Sequence, residues 1–263
     1  MKRYLLIIIL LLGSNCFGQQ LKPIVKTIKE INSISKETYR FPKVWIPNNI
    51  KATRKINNAL LEFLDIENGK FKKSIFENVW YPKSDHVIWI YSDLDYKVIQ
   101  NGKTLLAIDV WANFGKRNTF NLVHYLFDIK TGNRILLDTL IEQSKKIEFT
   151  KLLYAKKDSI ITDFIAQIKD SLIVHQQKND SLNIERDLYQ LDGYNRCLTS
   201  GDEEDFLFKY ITFYYEKGNL YFTLGSCFSY AANSYDDLGS FSFTFKKETL
   251  SYYLSKYGFY VLQ

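Results

Sequence analysis

Few residues of this chain combine type and spacing in a way that could do chemistry. Histidine occurs three times, as His86, His124 and His175. No Gly-x-Ser-x-Gly turn accompanies them, so an acyl-transfer triad has no nucleophile elbow to build on. His124 opens an apolar strand pattern and His175 falls late in a helical one, where a hydrogen-bonded structural histidine is the simpler reading of each. The spacings that hold metals are missing too: there is no His-x-x-x-His, no Cys-x-x-Cys and no EF-hand loop. Asp202-Glu203-Glu204-Asp205 and Asp236-Asp237 offer oxygen donors of the kind calcium takes, though solvated loop charge is the simpler account. Catalytic residues, metal ligands and cofactors are therefore assigned to none of these positions.

Cys197 and Cys227 say more. Only Cys16 stands beside them, inside an N-terminal segment built like a secretory signal. Lys2 and Arg3 form its positive start, residues 4–12 its apolar run, and Gly13-Ser14-Asn15 the break before Cys16-Phe17-Gly18. Nine apolar residues are too few to span a hydrocarbon core of about 30 Å as a helix. The segment reads as a signal peptide cut after Gly18. The rival is a lipoprotein anchored through Cys16, for which Asn15 is a poor neighbour. Either route leads to a periplasmic or secreted chain. An oxidising compartment pairs the two remaining cysteines. Closing a loop of about 30 residues stabilises by ~3 kcal/mol in the chain-entropy model. A reactive thiol, the alternative, has no neighbouring base to activate it.

Aromatic residues gather around the same two cysteines. Tyr194, Arg196, Phe228, Tyr230, Asn233 and Tyr235 mix flat rings with hydrogen-bonding groups, as a sugar or peptide platform does. Strand packing also calls for such rings, so ligand binding is one of two uses for them.

Composition narrows the classes further. Hydrophobic residues make up 46% of the 263 and aromatics 16%, enough to build a core and too many for a disordered chain. The net charge of +6 falls to +4 once Lys2 and Arg3 leave with the signal. The remaining lysines are spread among acids rather than clustered, and no basic stripe exists to supply the phosphate contacts of nucleic-acid binding. No segment after residue 18 is apolar enough to cross a membrane.

The elements that must position these residues form an α+β pattern, a mostly antiparallel sheet with helices packed on one side. Residues 24–34 suit a helical turn or a short strand. Residues 39–47 hold two prolines and must be extended or looped. Residues 50–63 read as an amphipathic helix with Thr53 as N-cap and Asn68-Gly69 as its ending. Strands follow at 87–92 and 95–100, with Asn101-Gly102 predicting a type I′ hairpin turn into a strand at 104–111. A loop at 113–118 leads to a strand at 120–129, the turn Lys130-Thr131-Gly132-Asn133, and a second short strand stepping into helix. Residues 142–175 switch to helical period. A helix end and loop are expected at 179–192, with 189–205 the least regular piece. Strands return at 206–215, 220–224 and 241–245, and a short helix closes the chain at 246–256. The segments divide into the signal peptide at 1–18, a helical and extended region at 19–84, and an α+β domain at 85–263.

The run Phe127-Asp128-Ile129-Lys130-Thr131-Gly132 followed by Leu136-Leu137-Asp138-Thr139-Leu140 carries a resemblance. It is similar to a signature of bacterial extracytoplasmic domains of poorly defined function. In that family an aromatic-Asp-aliphatic-Lys-Thr-Gly strand and turn precedes a Leu-x-Asp-x-Leu step into helices. Matching pieces recur at 213–223, at Ser229-Tyr230-Ala231-Ala232, at Gly239 and at 241–245, so the likeness covers about residues 85–256. The family includes the outer domain of a lysozyme-sensing anti-sigma factor and accessory domains of polysaccharide deacetylases. The resemblance implies a binding module, with any catalysis lodged in another domain. Where the family carries a Gly-Ala-x-His element before its central strand, this chain has Gly115 to Phe120 instead.

The function expected is a non-catalytic binding module at the cell envelope, its partner a cell-wall glycan or an envelope or secreted protein. A hydrolase using Asp128, Asp138 or Asp236 is the enzymatic alternative, though Asp128 and Asp138 read as turn and helix-start residues that bind backbone N–H groups. A structural or assembly partner is the third.

Overall fold

The computed structural model describes residues 22–31, 36–66, 70, 74–76, 91–114, 119–199 and 208–262. The signal segment with Cys16, His86, most of the strand expected at 87–92, Asn68-Gly69 and the acidic run at 202–205 lie outside them. The chain divides into two compact units, Met1–Ile135 and Leu136–Gln263.

The first unit begins with a two-stranded antiparallel ribbon, β1 (Ile24–Ile31) and β2 (Thr38–Trp45). Pro42 fits within β2, opposite Thr27, because each strand of a two-stranded ribbon has a free side where a missing N–H is not needed. Helix α1 (Ile50–Leu61) follows and buries Ala52, Ile56 and Leu60. Its N-cap is Asn49 rather than Thr53. The Asn49 carboxamide accepts from the Ala52 N–H at 3.0 Å, while the Thr53 hydroxyl accepts from the Ile46 N–H at 2.9 Å. Asn57 brackets β2 like a strand edge, accepting from Val44 N at 2.9 Å and donating to Val44 O at 2.8 Å.

Strands β3 (Tyr91–Asn101), β4 (Leu105–Phe114) and β5 (Thr119–Asp128) form an antiparallel sheet in that order. The β3–β4 hairpin exists, but its tip is displaced. Neither Asn101 nor Gly102 has positive φ, as a type I′ turn requires. Asn101 pairs with Leu106 and donates its carboxamide to Pro23 O, so the chain turns over Lys103 and Thr104, with Gly102 N bonded to Leu105 O at 2.9 Å. Alternate β4 residues Leu106, Ile108, Val110 and Ala112 join Tyr39, Phe41, Ile56, Leu60 and Phe127 in one core.

After β5 the turn at 128–133 closes around Asp128. Its carboxylate accepts from Lys130 N at 2.8 Å and from the Thr131 hydroxyl at 3.0 Å. Gly132, at φ +71°, presses so closely on α1 that a Cβ there would lie 2.5 Å from Ala52 Cα. The second short strand shrinks to one bridge, Phe127 to Arg134.

The second unit holds the one-turn helix α2 (Leu137–Leu140), a long helix α3 (Lys146–Gln177) and helix α4 (Ser181–Thr199). An antiparallel sheet in the order β6 (Thr212–Glu216), β7 (Asn219–Leu224) and β8 (Phe241–Lys246) follows, and α5 (Lys256–Val261) ends the unit. Residues 181–199 are thus helix throughout, not loop, and Cys197 sits in α4. The Lys217-Gly218 turn between β6 and β7 places both residues at positive φ, 49° and 83°. Phe149 of α3 packs edge-on against Phe222 of β7 at 5.0 Å, tying helix to sheet.

Candidate functional site

Helix α4 explains how the aromatic cluster is assembled. Asn179, at φ 55°, turns the chain out of α3, and Asp180 caps the next helix by accepting from Asn183 N at 3.3 Å and Asn183 Nδ2 at 2.7 Å. Those bonds hold the Asp180 carboxyl below the usual carboxylate range. The face that α4 buries is mostly polar: Asp187, Gln190, Gly193 and Tyr194. Each polar group there has a partner. Asp187 Oδ2 lies 2.8 Å from His175 Nδ1. Gln190 Nε2 donates to Tyr235 O and to Asp237 Oδ2, both at 2.8 Å. The Tyr194 hydroxyl donates to Asp236 Oδ1 at 2.8 Å and accepts from Leu238 N at 3.2 Å. Burial, helped by the bond to Asp236, pushes the Tyr194 phenol well above its ordinary pKa.

The loop that α4 grips runs from Gly225 to Ser240 and contains the 3₁₀ turn Tyr230–Tyr235. A disulfide joins Cys227 in that loop to Cys197 in α4, with Cα atoms 5.4 Å apart. Beside the bridge, Phe228 fills the notch left by Gly193, where a Cβ would stand 2.3 Å from the ring. Its ring meets Tyr194 edge-on at 5.0 Å and Tyr189 at 6.1 Å. Tyr189 and Tyr235 then pair at 4.4 Å, and both keep a face to solvent, 41% and 37% exposed. The result is an open aromatic patch on a bonded base.

Of the residues singled out from sequence, Phe228 and Tyr235 meet in this patch, and Asn233 is exposed in the same 3₁₀ turn that Tyr230 opens. Tyr194 is different: at 0% exposure it supports the patch from below and offers no ring face to a ligand. Arg196 stands on α4, exposed and paired with Asp192 one turn back at 2.8 Å. Tyr189, Gln190 and Arg186, which binds Asp237 at 2.7 Å, were not foreseen. The spacing Arg186, Gln190, Gly193, Cys197 marks the helix face that meets the loop, and a reading of polar as well as apolar period would have found it.

The carboxylates offered for hydrolysis are already engaged in part. Asp128 is spent on its turn. Asp138 caps no helix: its exposed carboxylate pairs with Lys146 at 2.5 Å, while Leu136 holds the cap position. Asp236 Oδ1 accepts from Tyr194 and from Gly239 N, and its Oδ2 is buried without a partner. His124 pairs with Asp109 across β4 and β5 at 2.7 Å. Ser171 lies 3.5 Å from His175, but at the same Nδ1 that meets Asp187. A triad needs the nucleophile on the other ring nitrogen, so this trio is not one. Among the described residues no group of three or more His, Cys, Asp or Glu side chains could hold a metal ion, and no helix is long and apolar enough to cross a membrane.

These features define an α+β protein, with five helices and three antiparallel sheets among the described residues, carrying a disulfide-braced aromatic loop. Comparison with known proteins adds the fold's relations. A DUF3298 family protein of Bacteroides fragilis superposes with a TM-score of 0.50 at 13% identity, over 90% of this chain and 95% of its own. A DUF3298 family protein of Pseudomonas aeruginosa gives a TM-score of 0.46 at 8% identity, over 92% of this chain and 97% of its own. No family model and no curated protein matches the chain. The expected kinship with bacterial domains of undefined function thus holds at the level of fold.

Proposed function

We propose that the chain is a secreted or periplasmic binding module of the cell envelope, without catalysis of its own, whose ligand is cell-wall glycan. The observation that carries this reading is the solvent-facing Tyr189–Tyr235 pair beside Phe228. Rings of this kind receive the C–H faces of sugars, and Asn233 next to them adds hydrogen bonds. The bridge between Cys197 and Cys227 supports an oxidising compartment. It also braces the patch, and a braced patch loses less ordering entropy on binding than a free loop does.

The test is co-sedimentation of the chain from Gln19 onward with purified peptidoglycan sacculi at low and high salt. Retention at high salt, lost in Tyr235→Ala and Tyr189→Ala with unchanged thermal stability, is the expected result. Retention at low salt only would assign it to the +4 charge instead. No retention at either salt would overturn the glycan reading and turn the search to an envelope protein.

A further inference from the structure

Two contacts cross from α4 to the loop it holds, one helical turn apart. Tyr189 meets Tyr235 at 4.4 Å, and Arg186 Nη2 donates to Asp237 Oδ1 at 2.7 Å. Residues three apart on a helix are surface neighbours, roughly 5–6 Å between Cβ atoms. Asp237 likewise follows Tyr235 closely in the loop. The ion pair therefore borders the ring pair on both elements. Like the rings it is open to water, with side chains 46% and 44% exposed.

An exposed ion pair contributes little to stability. What this one fixes is geometry. Asp237 Oδ2 also accepts from the buried Gln190 at 2.8 Å, so α4 holds the carboxylate through both oxygens. The carboxylate in turn aims the guanidinium, of which Nη2 alone is bonded among the described residues. Nε and Nη1 are left as donors, and each carboxylate oxygen keeps a lone pair to accept with. The pair as a whole is neutral. An anionic group reaching for Arg186 meets Asp237 beside it, and a cationic group reaching for Asp237 meets Arg186. The match is a neutral ring that presents an acceptor and a donor on adjacent positions. An N-acetylated amino sugar does so: its acetamido carbonyl accepts from the guanidinium, and the neighbouring ring hydroxyl donates to Asp237. The C–H face of the same ring then lies against Tyr189 and Tyr235. We infer that Arg186 and Asp237 are the polar half of the glycan site and select a neutral N-acetylated sugar. This rests on the glycan reading of the aromatic pair and names the sugar it receives.

The experiment is calorimetric titration of the chain from Gln19 onward with chitotetraose and with its fully de-N-acetylated counterpart, alongside sedimentation with sacculi. The wild type should bind chitotetraose about tenfold or more tightly than the deacetylated oligomer, as expected of one charged hydrogen bond. Arg186→Met removes the guanidinium and keeps an apolar stem at an exposed helix position. It should weaken chitotetraose binding about tenfold and bring the two oligomers near equal affinity, with the thermal midpoint unchanged. Asp237→Asn keeps the size of the side chain and should weaken chitotetraose binding as well. Tyr235→Ala, by contrast, should weaken both oligomers alike. Wild-type affinity in Arg186→Met, or a loss shared equally by the two oligomers, would overturn the assignment and leave the glycan reading standing. Equal affinity of the wild type for the two would do the same. Sedimentation of the wild type without chitotetraose binding would overturn the N-acetylated sugar alone. Failure of both assays in the wild type would overturn the two readings together.

Discussion

Gly193 lies in the interior of α4, where alanine is ordinarily favoured over glycine by about 1 kcal/mol. Here the added Cβ would stand 2.3 Å from Cε1 and Cζ of Phe228, far inside contact distance. Relief requires the ring to move, and the ring is held on two sides. It abuts Tyr194, and its neighbour Cys227 is tied to Cys197 on the same helix. Overpacking of this sort costs about 1–3 kcal/mol, so Gly193→Ala should lose about 0–2 kcal/mol net. The background makes the test sharper. With Cys197 and Cys227 both changed to Ser, the Phe228 segment can step back and the helix gain remains. The same substitution should then be neutral or stabilising by up to about 1 kcal/mol. Urea unfolding of the four proteins closes a double-mutant cycle and reads the coupling directly. An effect of Gly193→Ala that agrees within about 0.5 kcal/mol in the two backgrounds would refute the claim that the bridge pins Phe228 to the helix.

Removing the disulfide alone, by the double Ser variant or by dithiothreitol, should cost roughly 3–4 kcal/mol in the chain-entropy model for a loop of 30 residues; a urea midpoint indifferent to reductant would contradict the bridge. Gly132→Ala forces a side chain into positive φ and against the backbone of Ala52, which cannot yield as a ring can. Its loss should exceed about 2 kcal/mol, and a urea-derived loss below about 1 kcal/mol would show that the turn does not dock on α1. For Lys157, burial sets the folded pKa below the unfolded one. Between those two values the unfolded chain binds more protons, so the wild type gains stability as pH rises through that window. The thermal advantage of Lys157→Met should accordingly be largest near neutrality and shrink towards about pH 10; a constant gap in melting temperature would count against a buried charged lysine.

What the sequence disclosed follows from where its signals were apolar. The β3–β4–β5 sheet was legible because its strands are closed by hairpin-length connections and rich in β-branched and aromatic residues. The 128–133 turn was legible because Asp128, Thr131 and Gly132 each have a turn-specific role. Helix α4 was not, since its inward face is Asp187, Gln190, Gly193 and Tyr194 and leaves no hydrophobic stripe. Asn101-Gly102 misled for a local reason: the Asn101 side chain is engaged with Pro23, and the turn moved two residues on. At the candidate site, residue type identified Phe228, Tyr235 and both cysteines. It could not separate Tyr194 from them, because one tyrosine supports from beneath and another faces water on the strength of helix phase alone.

The same polar face that concealed α4 accounts for the order of the loop it holds. Apolar contact has no direction, so packing Phe228 against α4 fixes how near the loop lies but not how it is turned. Gln190 bonding one backbone carbonyl, and Tyr194 bonding Asp236 and Leu238 N, fix the orientation as well. Each such bond adds only about 1 kcal/mol over the water it replaces, so the set is a poor device for stability. It is a good device for holding Tyr235 against Tyr189. A ligand that had to immobilise both rings would lose about 0.5–1.5 kcal/mol for each. With the rings already braced by the helix and the disulfide, that loss falls on folding rather than on binding. Loosening the brace, by Gln190→Ala for instance, should therefore weaken ligand retention even though Gln190 itself is buried and offers a ligand no contact.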